Sequence, residues 1–315
     1  MLPIHQHGLK DSINPYGISI PPCLDVLYVN LKSKQAVLLE EGRDKKVRLS
    51  LKVPINVEKN AELVAHKVFL KTKVSDHELE VQTLLDKEPK LIHAILEHET
   101  KKTKKIKTDV YETYFETNLS SIKHCDLTNY QKTQIILDII NDLLKIHKEG
   151  YLHGDIWSAN IIVHSQYAAR FTDYGLTFKP SSEDPPGNLK FGFYGTIFNT
   201  PPEMFGLLWE DQLKSVDFNL AETFALGVAL WVFLKKWPDW TVIPTRSFRL
   251  KVMPDDQTKN EYYNFIKQYV EDHASKSQCE IADIILKLMN PSPKERMTLP
   301  KAKEALENLK NKYTL

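Results

Sequence analysis

Residues 151–163 read YLHGDIWSANIIV, and Asp173-Tyr174-Gly175 begins thirteen residues after Asn160. The first stretch ends in an apolar run typical of a short buried strand, and acidic and amide residues stand before and after that run. The spacing of Asp155 and Asn160 alone is common by chance. Together with His153 and the following Asp-x-Gly, it becomes a specific combination, and it is the part of the chain that decides the fold.

Hydrophobic periodicity divides the chain into two halves around this region. Residues 35–116 mostly alternate like strands, interrupted by one predicted helix at about 75–87. From Thr128 onward, apolar residues recur every three or four positions, as in helices. A small strand-rich half before a larger helical half predicts two lobes with a ligand cleft between them. The predicted strands cover residues 36–39, 47–51, 63–69 and 110–115.

Composition excludes several classes of protein. The chain has 315 residues, 42% hydrophobic and 26% charged, so it is not wholly disordered. A net charge of +1 gives no general basic field, and no nucleic acid partner is expected. The three cysteines are far apart and lack metal-type spacing, which favours a reducing, cytoplasmic location over a disulfide scaffold.

The stretch with the least periodicity and the longest apolar run also indicate how the chain is organised. Residues 1–34 contain four prolines and little periodicity, which predicts an irregular N-terminal extension without a secretory signal. The longest apolar run, residues 224–234, is too short to span a bilayer, so we expect a buried helix there and no membrane span. The predicted organisation is an extension at 1–34, a strand-rich lobe at 35–115 and a helical lobe at 116–315.

The residues quoted above resemble those of eukaryotic-type protein kinases. His153-Gly154-Asp155 with Asn160 is similar to the catalytic-loop pattern H-R-D-x-x-x-x-N, and Asp173-Tyr174-Gly175 to D-F-G. The resemblance implies an α+β, bilobal, protein-kinase-like fold, with the nucleotide cleft between a small β-rich lobe and a larger helical lobe.

Further motifs follow in the family's order. Residues 195–203 resemble G-T-x-x-x-x-A-P-E, and residues 291–298 resemble the signature before the final helix. Glu222 begins the predicted buried helix at a position where the family has aspartate. The resemblance implies that Arg296 pairs with Glu203, a structural contact whose loss should destabilise the larger lobe.

The resemblance also implies a reaction and its cofactors: ATP- and Mg²⁺-dependent transfer of phosphate to protein substrates. Such transfer needs in-line positioning and neutralisation of phosphate charge. Asp155 would orient the acceptor hydroxyl as the catalytic base. Asn160 and Asp173 would bind Mg²⁺, which prefers oxygen ligands. Thr196 matches the threonine of Ser/Thr enzymes, so Ser and Thr are the expected acceptors.

The strand-rich half offers the expected nucleotide contacts. Residues 64–67 resemble the family's V-A-I-K strand. Side chains alternate along a strand, so Ala65 and Lys67 share a face, where Ala65 would admit adenine and Lys67 would reach the phosphates. The carboxylate partner of Lys67 is expected on the next helix. Glu80 is favoured over Glu78, because Glu80 and Leu84 lie one turn apart on the same face of the helix, and only one of the two glutamates can face Lys67.

Three positions depart from the family pattern. The phosphate-covering loop aligns with residues 40–47, where only Gly42 and Val47 remain as expected nucleotide contacts, so weaker ATP binding is expected. Trp157 replaces a lysine that would contact the transferred phosphate. Gly154 replaces the arginine that binds a phosphorylated activation loop, which predicts activity that needs no such phosphate.

These departures leave alternatives open. His-Gly-Asp and Asp-Tyr-Gly look like the casein-kinase and vaccinia-related-kinase branch, as does the segment 115–119. The loop with Trp157 also resembles fructosamine and aminoglycoside phosphotransferases, which phosphorylate small molecules. The eroded glycine loop would suit a pseudokinase scaffold. An activating protein partner that orders the smaller lobe is a further expectation.

Overall fold

The computed structural model describes the chain in segments. They are residues 18–19, 26–30, 38–41, 45–54, 62–70, 73–85, 92–99, 106–113, 115, 117–180, 199–205, 216–235, 255–277 and 279–314. Before residue 110, side chains are described at residues 50, 64–69 and 78–84. The chain divides into two compact units, Met1–Tyr114 and Phe115–Leu315.

The N-terminal unit contains an antiparallel sheet and one helix. The strands follow the order β1-β2-β4-β5-β7-β6, and β3 pairs with β4. Strand β5 is central, and the side chains described on it are almost all buried, because the sheet continues on both of its sides. The elements are β1 Ile18–Ser19, β2 Val26–Asn30, β3 Leu38–Glu41, β4 Lys45–Pro54, β5 Glu62–Leu70, α1 Lys73–Leu85, β6 Ile92–Glu99 and β7 Ile106–Thr113.

The expectation of an irregular stretch at residues 1–34 is wrong for two segments. Strand β2 pairs with Ser50–Pro54 of β4, and β1 pairs with β2. The sequence of β2, Val-Leu-Tyr-Val-Asn, is rich in the β-branched and aromatic residues that fit a pleated surface. The neighbouring prolines masked this local signal. Strand β6 was likewise not among the predicted strands.

The C-terminal unit is mainly helical. Helix α2 begins with a capping box, in which Thr128 and Gln131 exchange side-chain and backbone hydrogen bonds. A small sheet of order β10-β9-β8 lies in the same unit. The elements are β8 Thr117–Asn118, α2 Asn129–Lys148, β9 Ile161–Val163, β10 Ala169–Phe171, α3 Phe218–Leu234, α4 Asp256–Lys276, α5 Glu280–Leu288 and α6 Leu299–Thr314.

Helix α3 confirms the prediction of a buried helix at residues 224–234. Nearly every side chain from Ala221 to Leu234 is buried. Gly227 allows α5 to approach closely, because a Cβ atom there would lie 2.7 Å from Cγ of Met289. None of the helices in the described part of the chain is long and apolar enough to cross a membrane.

The predicted pair of Arg296 and Glu203 is confirmed. The guanidinium donates two hydrogen bonds to the carboxylate, at 2.6 and 2.9 Å, and donates further to backbone carbonyls of Leu220 and Asn290. The Arg296 side chain is fully buried. The Arg296 side chain therefore joins the segment before Phe205 to the start of α3 and to the turn that follows α5.

Replacing Arg296 with Met should lower the free energy of unfolding by about 3–5 kcal/mol, because it leaves the Glu203 carboxylate without its cation. Urea unfolding followed by circular dichroism measures this. Lys312→Met is the matched control, since Lys312 and Glu280 form an exposed pair whose loss should hardly change the stability. Equal losses in both variants would contradict a special role for the buried pair.

Candidate active site

A glutamate of α3 holds the loop 153–155 in place. The backbone N–H of Gly154 donates to Oε1 of Glu222 at 2.8 Å, and Oε2 of Glu222 contacts Nε2 of His147 at 2.8 Å. Glu222 is completely buried. Burial alone would raise the pKa of Glu222, but the hydrogen bond and charge of His147 outweigh it, and the pKa is lowered. Glutamate thus serves as an anchor at the position where the family has aspartate.

Gly154 adopts a backbone conformation that few other residues could take. Its φ is +79°, and a Cβ atom would lie 2.1 Å from the carbonyl oxygen of Leu176. The two segments that meet here are also joined by backbone bonds between Leu152 and Phe178, at 2.8 and 3.1 Å. The hydroxyl of Thr177 donates to the carbonyl of His153 at 3.0 Å. Gly154, where the family has arginine, therefore lies at a close contact between two backbone segments.

His153 links the loop to the segment that carries Asp173. Its Nε2 donates to the carbonyl of Thr172 at 3.1 Å, while its Nδ1 accepts the N–H of Asp155 at 3.2 Å. Its ring packs against those of Phe171 and Tyr174, with centroids 4.8 and 5.3 Å away. One ring nitrogen donates and the other accepts, so the imidazole fixes both neighbouring backbones.

The hairpin of β9 and β10 places Asn160 and Asp173 near the same end. Asn160 directly precedes β9, Asp173 follows β10 by one residue, and Ile161 pairs with Phe171 across the two strands. Nδ2 of Asn160 donates to Oδ2 of Asp155 at 2.9 Å and to its carbonyl at 3.0 Å. The three predicted C-terminal site residues are thus brought together within one unit.

Asp173 lies in the left-handed region, with φ 65° and ψ 68°. That conformation costs energy for a residue with a side chain, and such strain is concentrated at functional sites. Immediately before it, the N–H of Thr172 donates to the carbonyl of Asn160 at 2.9 Å. This bond ties the residue before Asp173 to the residue before β9.

Two carboxylates of α2 support this hairpin and were missed in the sequence. Asp142 accepts the N–H of Phe171 at 2.8 Å, and Asp138 accepts the N–H of Ala169 at 3.3 Å. Burial raises the pKa of both carboxyl groups. Their four-residue spacing, shared with Gln134, was the available signal: a polar row that runs beside the buried row of Ile135, Ile139 and Leu143.

In the N-terminal unit, Lys67 forms an ion pair with Glu112 of β7, with Nζ 2.9 Å from Oε1. Both side chains are nearly fully buried. Gln82 of α1 donates from Nε2 to the other oxygen of Glu112. Sequence reasoning missed Glu112, since it lies 45 residues from Lys67 and only the strand register brings them together.

The expectation that Glu80 pairs with Lys67 is corrected. Glu80 is exposed, and these two described side chains form no ion pair, whereas Glu78 is buried with 3% of its surface exposed. Positions two apart on a helix point in nearly opposite directions, so the phase of α1 turns Glu78 inward and Glu80 outward. Choosing between them required knowing how the helix packs.

The structure describes only some of the other residues that are predicted to contact the nucleotide. Ala65 is buried on the same strand as Lys67, and Val47 is opposite Lys67 in the β4–β5 register. Gly42 lies outside the described residues, as does residue 196. Trp157 is half-buried, with an extended backbone, and precedes the 3₁₀ turn Ser158–Asn160.

The described residues offer few side chains that could bind a metal ion. Among them, no group of three or more His, Cys, Asp or Glu side chains is placed to hold a metal ion. Mg²⁺ characteristically takes only one or two protein carboxylates and completes its shell with substrate phosphates and water. Asn160 uses its amide nitrogen for both hydrogen bonds to Asp155, which leaves its oxygen suited to a cation.

Comparison with known families gives the same arrangement a name. The model of the protein kinase domain matches residues 52–309. The chain belongs to the protein kinase family. The expected α+β kinase fold, strand-rich at the N-terminus and helical at the C-terminus, is thereby confirmed.

Individual relatives are distant kinases. SNF1-activating kinase 1 of Saccharomyces cerevisiae is 26% identical over 59% of this chain and 18% of its own length. The Aurora kinase of the same yeast is 26% identical over 60% of this chain and 45% of its own length. A dual serine/threonine and tyrosine protein kinase of Takifugu rubripes is 26% identical over 33% and 10%. The chain thus spans less than half of the length of each, and these relatives do not confirm the casein-kinase branch.

Proposed function

We propose that this protein kinase transfers the γ-phosphoryl group of ATP to serine and threonine hydroxyls of protein substrates, with Mg²⁺. The observation that carries the proposal is the hydrogen bond from Nδ2 of Asn160 to the carboxylate of Asp155, at the end of the β9–β10 hairpin that Asp173 follows. A base and two metal ligands in fixed relation are what in-line phosphoryl transfer requires.

Each residue has a proposed role. Asp155 accepts or orients the proton of the acceptor hydroxyl, and Asn160 keeps one carboxylate oxygen in place. Asn160 and Asp173 hold Mg²⁺, which when bound neutralises phosphate charge. Lys67 contacts the ATP phosphates. Nucleotide contacts by Gly42, Val47 and Ala65 stay predictions, and Glu80 has no role in this proposal.

The preference for Ser and Thr is supported by Thr196 in the sequence, whereas the name of the Takifugu rubripes relative covers serine, threonine and tyrosine. Independence from an activation-loop phosphate is supported by Gly154. A side chain there has no room beside Leu176, so the loop cannot present the arginine that would bind such a phosphate. Thr177 and Thr200, which lie between Gly175 and Pro201 where an activation-loop phosphate would be placed, are moreover buried.

Other aspects of the proposal stay predictions. They are a cytoplasmic location, a protein partner that activates the enzyme, and the absence of a nucleic acid partner. The described cysteines, Cys125 and Cys279, are free thiols.

Incubation with Mg-[γ-³²P]ATP tests the function, using the chain itself and a generic basic protein as acceptors. We expect phosphoserine and phosphothreonine after acid hydrolysis, at a rate that phosphatase pretreatment of the kinase does not change. Phosphotyrosine alone would contradict the acceptor preference. Label only on added sugars or aminoglycosides would favour the small-molecule alternative. ATP binding without transfer, also in the presence of cell extract, would favour a scaffold.

A further inference from the structure

The N-terminal unit buries an ion pair that the family resemblance did not lead us to expect. Lys67 on β5 and Glu112 on β7 lie on the same face of the sheet, since Ala65 is opposite Glu112 and Lys67 is opposite Val110. They are diagonal neighbours, within reach of two long side chains. Their charged atoms are 2.9 Å apart, with 4% and 3% of the side chains exposed.

We propose that Glu112 is a positioning residue for Lys67, so that the sheet itself supplies a carboxylate that holds the phosphate-binding lysine in place. The inference rests on the proposed role of Lys67 in binding ATP. A buried ammonium needs a counter-charge beside it, and Glu112 supplies one, in an ion pair at 2.9 Å.

Glu112 is itself held in position. Its second carboxylate oxygen accepts a hydrogen bond from Nε2 of Gln82, a buried residue of α1. Both oxygens are thus used, one toward the cation and one toward the helix. The carboxylate is therefore fixed from two sides, which is what a positioning residue needs.

The strand ladder brings Lys67 and Glu112 together without any contribution from α1. Strands β5 and β7 are paired continuously from Val64 with Thr113 to Leu70 with Lys107. A displacement of α1 would remove the hydrogen bond from Gln82, but it would leave the ladder and thus the register that places Glu112 beside Lys67. In an enzyme whose lysine depends on a helix carboxylate alone, the same displacement would separate the pair. The position of Lys67 should accordingly tolerate changes in α1.

Three substitutions from Glu to Gln in the same unit test the proposal. The readout is the dissociation constant of Mg-ATP by calorimetry, with unfolding temperature as the check on folding. Glu112→Gln should weaken ATP binding at least tenfold. Glu78→Gln, which removes the buried helix carboxylate, should weaken binding less than Glu112→Gln does. Glu80→Gln, at an exposed position, should change nothing.

A double-mutant cycle separates positioning from mere folding. If Glu112 acts through Lys67, Glu112→Gln should have no further effect on ATP binding in a Lys67→Met background. Equal effects in both backgrounds, or a larger effect of Glu78→Gln, would overturn the proposal. A wild type that binds but does not transfer, with the cycle coupled as expected, would refute the kinase reaction and keep this inference. A wild type that does not bind ATP would refute both.

Discussion

Replacing Asp155 with Ala should abolish phosphoryl transfer, with a loss of roughly 10²–10⁴-fold from removal of the base alone. The fold should survive. Asp155 is half-buried, and its backbone N–H and carbonyl keep their bonds to His153 and Asn160 in the variant. The substitution removes the hydrogen bond of 2.9 Å that Asn160 donates to the carboxylate. Initial rates with Mg-ATP and a basic protein acceptor measure the effect.

The matched control for this substitution is Asp256→Ala. Asp256 is an exposed residue in the first turn of α4, so its loss should leave the rate unchanged. The affinity for ATP in Asp155→Ala should stay within a few-fold of wild type, because the proposed role of Asp155 concerns the acceptor hydroxyl. Transfer at more than a tenth of the wild-type rate, in a folded Asp155→Ala variant, would rule out this base.

The catalytic loop could be predicted from the sequence because its residues are close along the chain. Asp155 and Asn160 are separated by a short turn, and the hairpin of β9 and β10 joins them to Asp173 by a local pairing. Arg296 and Glu203 are 93 residues apart, and only the family resemblance linked them. Sequence patterns thus specify local backbone, while a resemblance can supply distant contacts that many kinases share.

What the sequence could not supply depends on helix phase and strand register. The choice between Glu78 and Glu80 turns on how α1 rotates against the sheet, which the periodicity of its 13 residues does not specify. The contact of Lys67 with Glu112 needs the register of β5 and β7, and a slip of one residue would turn Glu112 to the other face. Both features depend on how distant segments pack, and the motifs quoted from the sequence do not specify that packing.

Placing a side chain at Gly154 should inactivate the enzyme and destabilise it. At φ +79°, a Cβ atom would lie 2.1 Å from the carbonyl oxygen of Leu176 and 2.8 Å from its carbonyl carbon. Relief requires separation of two backbone segments that are held by the bonds of Leu152 with Phe178. We expect Gly154→Ala to cost about 1–2 kcal/mol for the left-handed backbone and about 1–3 kcal/mol more for the clash.

Gly150→Ala separates these two costs. Gly150 has nearly the same φ, +78°, but a Cβ atom there has no neighbour within 4 Å. Its replacement should therefore cost only the backbone part, about 1–2 kcal/mol, and leave the rate of transfer nearly unchanged. Urea unfolding and initial rates of both variants provide the comparison. Equal destabilisation by the two substitutions would show that the contact with Leu176 does not contribute to the loss of unfolding free energy.

Gly154→Arg tests whether glycine at this position differs from the family's arginine only by lacking a phosphate-binding side chain. If the glycine only lacked a phosphate-binding side chain, restoring arginine would make the enzyme responsive to phosphorylation. The close approach of Leu176 predicts the opposite, because the Cβ of arginine meets the same carbonyl as that of alanine. The N–H of Gly154 also donates to Glu222, so a shift of this residue would disturb the anchor of Asp155. Arginine should consequently inactivate the enzyme as fully as alanine, and any gain of activity would show that the loop can open at this contact.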